Sequence, residues 1–370
     1  MTSQKKRLVF FLPNFGEGGA AVSILKLSKF LVQKNYSILV ISIGKNSYKK
    51  DFIKINCELI EINSSRTLFA ILKIRKIMLS EMKKNFSKII FISNIHYANI
   101  ISIFSLINLS KIKLILTERS SISELNYSNN FVDNLKNKII YHLAKNLYKF
   151  SDLVITNSKF EKMFIKKKFQ LKKIICIHPP SIKNILKYKK KRRSNKGKQN
   201  IIYVGRLSYE KGVFTILKAL VKIKKDQHFT FTLFGHGPNI EELKKFIKDN
   251  GLTKLVIFKG FIKNKEHIFN KANLFINASL WEGLPNALVQ SINHSVFPIC
   301  SDAPGGNIEV INNGKLGMSF KTGDHIDLEK KIKKFFKDKL KLNDKKRRIH
   351  LKNYTESKSN QKYLKILNRF

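Results

Sequence analysis

Residues 274–311 read LFINASLWEGLPNALVQSINHSVFPICSDAPGGNIEVI. The stretch opens on a short apolar run, 274–277, and turns through a polar segment that carries Trp281, Glu282 and Gly283. Pro285 then suits the first turn of a helix, where its fixed φ helps and its missing N–H costs nothing. A helix is therefore expected over 285–293, followed by a second apolar run at 296–300 and a glycine loop, SDAPGG, at 301–306. Two apolar strands joined by a helix form a parallel βαβ unit. Strands apolar on both faces belong to a sheet covered by helices on both sides.

The same rhythm runs outward from this stretch in both directions. Apolar runs rich in Val, Ile and Phe occur at 7–12, 37–43, 88–92, 114–117 and 153–156, and again at 201–204, 230–234 and 256–259. Longer helical patterns separate them, which predicts an α/β chain with doubly wound parallel sheets. A dense basic block, KYKKKRRSNKGKQ at 187–199, interrupts the rhythm near the middle. Such a block reads as solvated connection. The expected organisation is a domain at 1–180, a basic linker at 181–200, a second domain at 201–345 and a helical tail at 346–370. Sheets of this kind bind ligands at the carboxyl ends of their strands, so two of them facing each other would enclose a cleft.

Composition narrows the classes of partner. The 370 residues include 72 Lys and Arg against 25 Asp and Glu, a formal net charge of +47 that favours anions of every kind. Abundant Lys, Ile and Asn along the whole chain make part of this excess compositional. The lysines are dispersed and no nucleic-acid-binding module is recognisable, so no nucleic-acid partner is expected. Three scattered cysteines, Cys57, Cys176 and Cys300, form no C-x-x-C pair and argue against a disulfide framework or zinc site, which fits a reducing cytoplasm.

No stretch reads as a signal-peptide core or a membrane span. The apolar run 8–12 is stopped by Pro13. Residues 89–110 carry no formal charge, yet Ser93, Asn94, His96, Asn99 and Ser102 would be costly in lipid, so a strand, a turn and a buried helix are expected there. Residues 67–86, TLFAILKIRKIMLSEMKKNF, mix Leu68, Ile71, Leu72 and Met78 with Lys73, Arg75, Lys76, Lys83 and Lys84. A basic amphipathic helix of this kind suits an anionic membrane surface. The expected location is cytoplasmic, peripheral on the inner face of the cytoplasmic membrane.

Three segments carry chemistry. PNFGEGGAA, 13–21, follows the first strand, and its Gly16, Gly18 and Gly19 allow close approach of a ligand to the backbone and to the next helix N-terminus. It lacks the final glycine of the dinucleotide pattern, which disfavours NAD. YVGRLSYEKG, 203–212, places Arg206 and Lys211 at one strand end, a fork and a point charge suited to a diphosphate. In 277–290, the backbone N–H groups near Gly283, Leu284 and Asn286 open a helix and can hold phosphate oxygens, with Glu282 just before them.

Together, GEGGAA, VGRLSYEKG, LFGHGP, VIFKGF and ASLWEGLPNALVQSINHSVFPICSDAPGGNIEVI resemble the GT4 family of retaining glycosyltransferases over roughly residues 10–320. The resemblance implies a GT-B fold and a nucleotide-activated sugar donor. It implies diphosphate binding by Arg206 and Lys211, and contact of Glu282, the first glutamate of an E-x7-E motif, with the donor sugar. The second glutamate of that motif, at the nucleotide ribose, is Gln290 here. A neutral amide accepts more weakly than a carboxylate, so Gln290→Glu would be expected to tighten donor binding. ILTERSSISE, 115–124, looks like a subgroup with Glu118 and Arg119 on the acceptor side, facing the cleft, and His96 falls where relatives carry a histidine near the transferred sugar.

The implied reaction moves a hexose or N-acetylhexosamine from a nucleoside diphosphate to a glycan or lipid-linked glycan, with retention, in cell-surface polysaccharide, lipopolysaccharide or glycoprotein glycan assembly. Cations and a helix N-terminus would meet the leaving charge, so no metal or other cofactor is expected. Alternatives are a non-catalytic or decayed relative, a sugar-nucleotide epimerase on the same fold, and a polybasic nucleic-acid-binding protein.

Overall fold

The computed structural model describes residues 5–16, 18–64, 67–126, 131–188, 198–226, 229–262 and 266–370. Glu17 of the first glycine loop and residues 189–197 of the basic block lie outside the described residues. The chain divides into two compact units, one of Met1–Pro180 with Glu356–Phe370, the other of Ser181–Thr355.

The first unit is built on strands β1 (Arg7–Phe11), β2 (Ser37–Ile43), β3 (Glu58–Ile62), β4 (Ile89–Asn94), β5 (Ile112–Glu118), β6 (Leu153–Thr156) and β7 (Ile174–Cys176). Its helices are α1 (Gly19–Val32), α2 (Lys49–Lys54), α3 (Ala70–Met82), α4 (His96–Leu106), α5 (Phe131–Leu147) and α6 (Lys159–Lys168). The strands lie in the order β3-β2-β1-β4-β5-β6-β7, and every pairing is parallel. Every residue of β1 and β4 is buried. Helices α3, α4, α5 and α6 share one apolar core with the sheet. Helix α1 packs on the other face, in a second core.

The second unit follows the same plan. Its strands are β8 (Gln199–Val204), β9 (Phe229–Phe234), β10 (Val256–Phe258), β11 (Leu274–Asn277), β12 (Phe297–Ser301) and β13 (Met318–Phe320). Its helices are α7 (Val213–Ile223), α8 (Ile240–Asp249), α9 (Glu266–Asn270), α10 (Asn286–Asn293), α11 (Asn307–Val310), α12 (His325–Asp338) and α13 (Asp344–Leu351). The order β10-β9-β8-β11-β12-β13 is again wholly parallel.

In each sheet the chain starts in the middle, winds to one edge, then returns and winds to the other. The reversal falls between β1 and β4 in the first unit and between β8 and β11 in the second. Connections leaving adjacent strands on opposite sides open a crevice at the strand carboxyl ends, where ligands of such sheets bind.

Three strands, β3, β7 and β13, have no counterpart among the expected apolar runs. Two of them have three residues each, too few for a pattern, and β3 carries Glu58 and Glu61 on an edge whose residues are mostly half-exposed. The segment expected as a solvated linker also begins as packed structure. Ile182 sits in the core of the second unit, and Arg347, fully buried, donates to the carbonyls of Leu186 and Asn293 at 2.8 Å each. The expected tail at 346–370 is shared out: α13 packs against α10, whereas α14 (Glu356–Leu367) packs on α1 of the first unit. There Tyr363, Ile366 and Leu367 join the core that holds Leu8 and Ile24.

Candidate active site

The second unit gathers its chemistry at the β8/β11 crevice. After β8 the chain turns tightly: the Tyr203 hydroxyl donates to the Arg206 carbonyl at 2.7 Å, and a 3-10 turn follows at Tyr209–Lys211. Gly212 closes that turn at φ +60, and a Cβ there would stand 2.0 Å from the Ala278 carbonyl oxygen. Only glycine fits both demands. The close approach brings the segment after β8 against the segment after β11, and Lys211 Nζ meets Glu282 Oε1 at 2.7 Å. Arg206 is exposed, and its guanidinium makes no ion pair among the described residues.

Glu282 is fixed from several sides. The hydroxyl of Ser279 lies 2.8 Å from its Oε1 and 2.7 Å from Asn277 Oδ1. Its backbone N–H donates to Pro304 at 3.0 Å. Gly305 sits against it so closely that a Cβ would lie 1.7 Å from the Glu282 carbonyl oxygen. Ser301 and Asn307 continue this buried network beneath the site: the Ser301 hydroxyl donates to the Ser279 carbonyl at 2.6 Å, and Asn307 Nδ2 to the Ser301 carbonyl at 3.0 Å. Sequence reasoning had singled out none of these supporting polar residues. Asn277 and Ser301 carry a signal, a polar residue closing an otherwise apolar strand, whereas Ser279 lies beyond its strand and Asn307 opens α11.

Helix α10 begins beside Glu282. Pro285 precedes its first residue in an extended conformation and supplies no side-chain cap. The N–H groups of Leu284, Asn286 and Ala287 donate to no group among the described residues. Uncapped N–H groups at a helix N-terminus are able to hold phosphate oxygens, and Lys211 reaches the residue just before them through its contact with Glu282. Gln290, one turn further on, points its amide at Ser181, donating to that carbonyl at 3.2 Å, while the Ser181 hydroxyl donates to Asn286 Oδ1 at 2.6 Å.

The first unit has a polar centre of its own at the β1/β4 crevice. Gly16, Gly18 and Gly19 lie between β1 and α1, with Gly18 as the uncapped N-cap of α1 and Gly19 as its first residue. Asn94, at the end of β4, donates to the Phe11 carbonyl at 3.0 Å and accepts from Arg119 Nε at 2.9 Å. Ile95 then adopts φ +80 and ψ 142, a region nearly reserved for glycine. Its N–H is held by the Thr117 carbonyl at 2.9 Å, and the strained turn makes His96 the first residue of α4.

His96 and Glu118 are both fully enclosed, at 0% exposure. Glu118 was expected to face a cleft; instead its Oε1 is taken inside the unit by the Tyr148 hydroxyl and by Asn99 Nδ2, the latter at 2.9 Å. The cause is the register of β5, which turns its last side chain under α4. The imidazole of His96 stands between two carboxylates, with Nδ1 3.7 Å from Glu118 Oε2 and Nε2 3.2 Å from Glu124 Oε1. Burial alone would lower its pKa, but the carboxylates of Glu118, Glu124 and Glu161 together raise it above the usual value. Glu161 accepts from the Ile122 N–H at 2.8 Å and the Ser121 hydroxyl at 2.9 Å, yet burial pushes its carboxyl up to about 7. Among the described residues no group of three or more His, Cys, Asp or Glu side chains is placed to hold a metal ion.

Comparison with known proteins bears on both units. Residues 184–357 match the model of the family described as glycosyl transferases group 1. Over 98% of this chain and 98% of the relative, the sequence is 24% identical to the GalNAc-alpha-(1->4)-GalNAc-alpha-(1->3)-diNAcBac-PP-undecaprenol alpha-1,4-N-acetyl-D-galactosaminyltransferase of Campylobacter jejuni. A second Campylobacter jejuni protein, N-acetylgalactosamine-N,N'-diacetylbacillosaminyl-diphospho-undecaprenol 4-alpha-N-acetylgalactosaminyltransferase, is 25% identical over 90% of this chain and 91% of its own. Among solved structures, Anabaena HepE in complex with UDP and glucose superposes with a TM-score of 0.76 at 16% identity, covering 98% of this chain and 99% of that one. The lipopolysaccharide outer core galactosyltransferase WaaB gives 0.77 at 14% identity, over 99% and 100%. These likenesses show the fold, GT-B with two Rossmann-like domains.

Proposed function

We propose that this chain, a glycosyltransferase whose residues 184–357 carry the group 1 domain, moves an N-acetylhexosamine or hexose from a uridine diphosphate donor to a lipid-linked glycan, with retention of configuration. The observation that carries the reading is the grouping of Arg206, Lys211, Glu282 and the uncapped start of α10 at the reversal point of one sheet. The names of the two undecaprenol-linked relatives, each matched over nearly its whole length, support the acceptor class.

In this reading the diphosphate lies between Arg206, Lys211 and the N–H groups of Leu284 and Asn286. When the glycosidic bond breaks, negative charge grows on the departing phosphate oxygen. Donors already aimed at that position stabilise it without reorganising. Lys211 exchanges part of its contact with Glu282 for phosphate, leaving Glu282 an acceptor for the hydroxyls of the transferred sugar. The cations supply the charge that a divalent metal would otherwise bring, so the reaction is proposed to proceed without one.

A lipid-linked acceptor places the enzyme at a membrane, and the first unit has a surface suited to one. No helix among the described residues is long and apolar enough to cross a bilayer. Helices α3, α4 and α5 lie side by side on one face of the sheet, and each exposes apolar side chains. Leu72 on α3 is 76% exposed, near Lys73 and Lys76, and Val132, Leu135 and Ile139 recur at helical spacing along α5, with Val132 73% exposed. Apolar side chains among lysines fit the inner, anionic face of a cytoplasmic membrane.

The decisive experiment incubates the protein with a panel of UDP-sugars and an undecaprenyl-diphosphate-linked N-acetylhexosamine acceptor, and follows UDP release and product mass. Transfer of one sugar with an α linkage supports the reading. No UDP release from any donor, with or without acceptor, would end it.

A further inference from the structure

The second unit encloses a cavity at the end of its sheet away from the β8/β11 crevice. It measures about 180 Å³ and lies between the amino ends of β8, β11 and β12 and the segment that follows α12. Gln199, the first residue of β8, lines it, whereas Arg206 follows the other end of that strand. At about 3.3 Å per residue, β8 separates the two by roughly 17 Å. The walls are largely apolar: Phe297 and Phe335, with ring centroids 5.4 Å apart, and Leu342. Tyr188 closes one side, where the Arg347 guanidinium stands 5.7 Å from its ring centroid.

Three polar side chains on this lining are uncommitted. Gln199 is only 9% exposed, yet its amide makes no hydrogen bond among the described residues. An amide so enclosed normally finds a partner, since leaving it unpaired costs about 1–3 kcal/mol. Asn273, on the same lining, shows the ordinary outcome: its Oδ1 accepts from the Asn200 N–H at 2.8 Å. Lys339 closes α12 in the left-handed conformation, φ +48, and the chain from Lys339 to Leu342 then runs along the cavity. Lys339 and Lys341 are exposed at its rim and make no ion pair among the described residues. The carboxylate of Asp344, three positions on from Lys341, is held by Arg347 Nη2 at 2.7 Å.

In a chain of net charge +47, two lysines alone select nothing. The enclosed amide and the aromatic walls add the selection. An apolar space of about 150 Å³ holds a benzene ring, so this cavity has room for one ring with an anionic substituent and none for a nucleoside diphosphate. We infer that the cavity is a second ligand site, which takes a small ring-bearing anion, a phosphate or carboxylate on a single apolar ring. The ring lies against Phe297 and Phe335, the anion meets Lys339 and Lys341, and the Gln199 amide donates to one of its oxygens. The site is separate from the donor crevice and stands whether or not the transferase reading does.

The test titrates the full chain with phenyl phosphate, benzoate, phenol and inorganic phosphate in a calorimeter. Phenyl phosphate or benzoate is expected to bind at least tenfold more tightly than phenol and inorganic phosphate. Gln199→Met, close in volume but without the amide, should weaken that binding fivefold or more. Its melting temperature should not fall, because no internal hydrogen bond is lost. Lys341→Gln, an exposed change that decides the matter alone if Gln199→Met does not fold, should weaken it by a similar factor. Arg206→Ala, at the far end of β8, should leave it within twofold. No binding of either ring-bearing anion, or binding that both cavity variants retain, overturns the site. Inorganic phosphate bound as tightly as phenyl phosphate overturns the part given to Phe297 and Phe335, and loss of binding in Arg206→Ala moves the anion to the donor crevice and overturns the site as well.

Discussion

The side-chain amide of Gln290 donates to the backbone carbonyl of Ser181 at 3.2 Å, while its own carbonyl oxygen is buried without a partner among the described residues. The family pattern alone makes Gln290→Glu a gain in donor affinity. The structure reverses the sign. A carboxylate has no hydrogen to give Ser181 and would oppose its carbonyl oxygen. Gln290→Glu should lower stability by about 1–3 kcal/mol, the usual cost of an unmade buried bond, and should not tighten UDP binding. Urea unfolding and calorimetry measure the two parts, and a several-fold tighter UDP constant at unchanged stability would reject this account.

Arg206 and Lys211 should separate in their effects. Arg206 makes no ion pair among the described residues, so Arg206→Ala should leave stability near wild type and weaken UDP binding and turnover, together by about 2–4 kcal/mol if it acts as a preorganised donor. Lys211→Ala also leaves Glu282 without its cation, with the Ser279 hydroxyl still donating to it, and should bring a measurable drop in melting temperature besides the loss of turnover. Equal UDP affinity in wild type and Arg206→Ala would remove the guanidinium from the donor site.

Stability should fall as pH rises through neutrality. The folded-state pKa of Glu161 is raised from 4.5 to about 7, so the native state holds a proton that the unfolded chain releases earlier. Its contribution is complete below about pH 4 and is lost as pH climbs to about 7, roughly 3 kcal/mol in all. His96, also raised, acts in the same sense at higher pH, since its ion pairs persist below its usual value and fade above the raised one. Glu161→Gln keeps an acceptor for the Ile122 N–H and should flatten the lower part of the profile. Parallel urea curves for wild type and variant at pH 5 and pH 8 would contradict it.

Membrane binding should depend on apolar side chains as well as on charge. Leu72→Ser combined with Leu135→Ser should reduce sedimentation with anionic vesicles at physiological salt, where screening has already weakened the lysines. Vesicles of neutral lipid should recover little protein in either case. Undiminished recovery of the double variant would leave charge as the whole attraction.

Chelation should leave turnover standing. The Arg206 and Lys211 cations are placed to meet the leaving charge, so treatment with EDTA followed by assay in metal-free buffer should retain most of the rate. A loss of a hundredfold, restored by magnesium or manganese, would show that these side chains are insufficient.

The parts legible in the sequence were those written locally. Strands such as β1 and β4 stand out because both faces are apolar, and Arg206, Lys211 and Glu282 stand out because each follows such a strand within a few residues. What escaped is non-local or contrary to propensity. Ser181 and Gln290 are 109 positions apart, and no pattern in either announces the bond. Ile95 is β-branched, the residue type least expected at φ +80, so the turn that presents His96 had no signal at all.

Helix α14 has a consequence for how the protein is made. Its residues Tyr363, Ile366 and Leu367 fill the same core as Leu8 and Ile24, and Asn368 accepts from the Tyr36 hydroxyl at 2.9 Å. The first unit therefore emerges from the ribosome first yet lacks one wall until the second unit, which is continuous in sequence from Ser181 to Thr355, has already been synthesised. During that interval the face of α1 that α14 covers is open to water. Nascent chains stalled before residue 356 should thus carry a folded second unit beside an unfinished first one, a species suited to capture by chaperones, and the order of birth is the reverse of the order of completion.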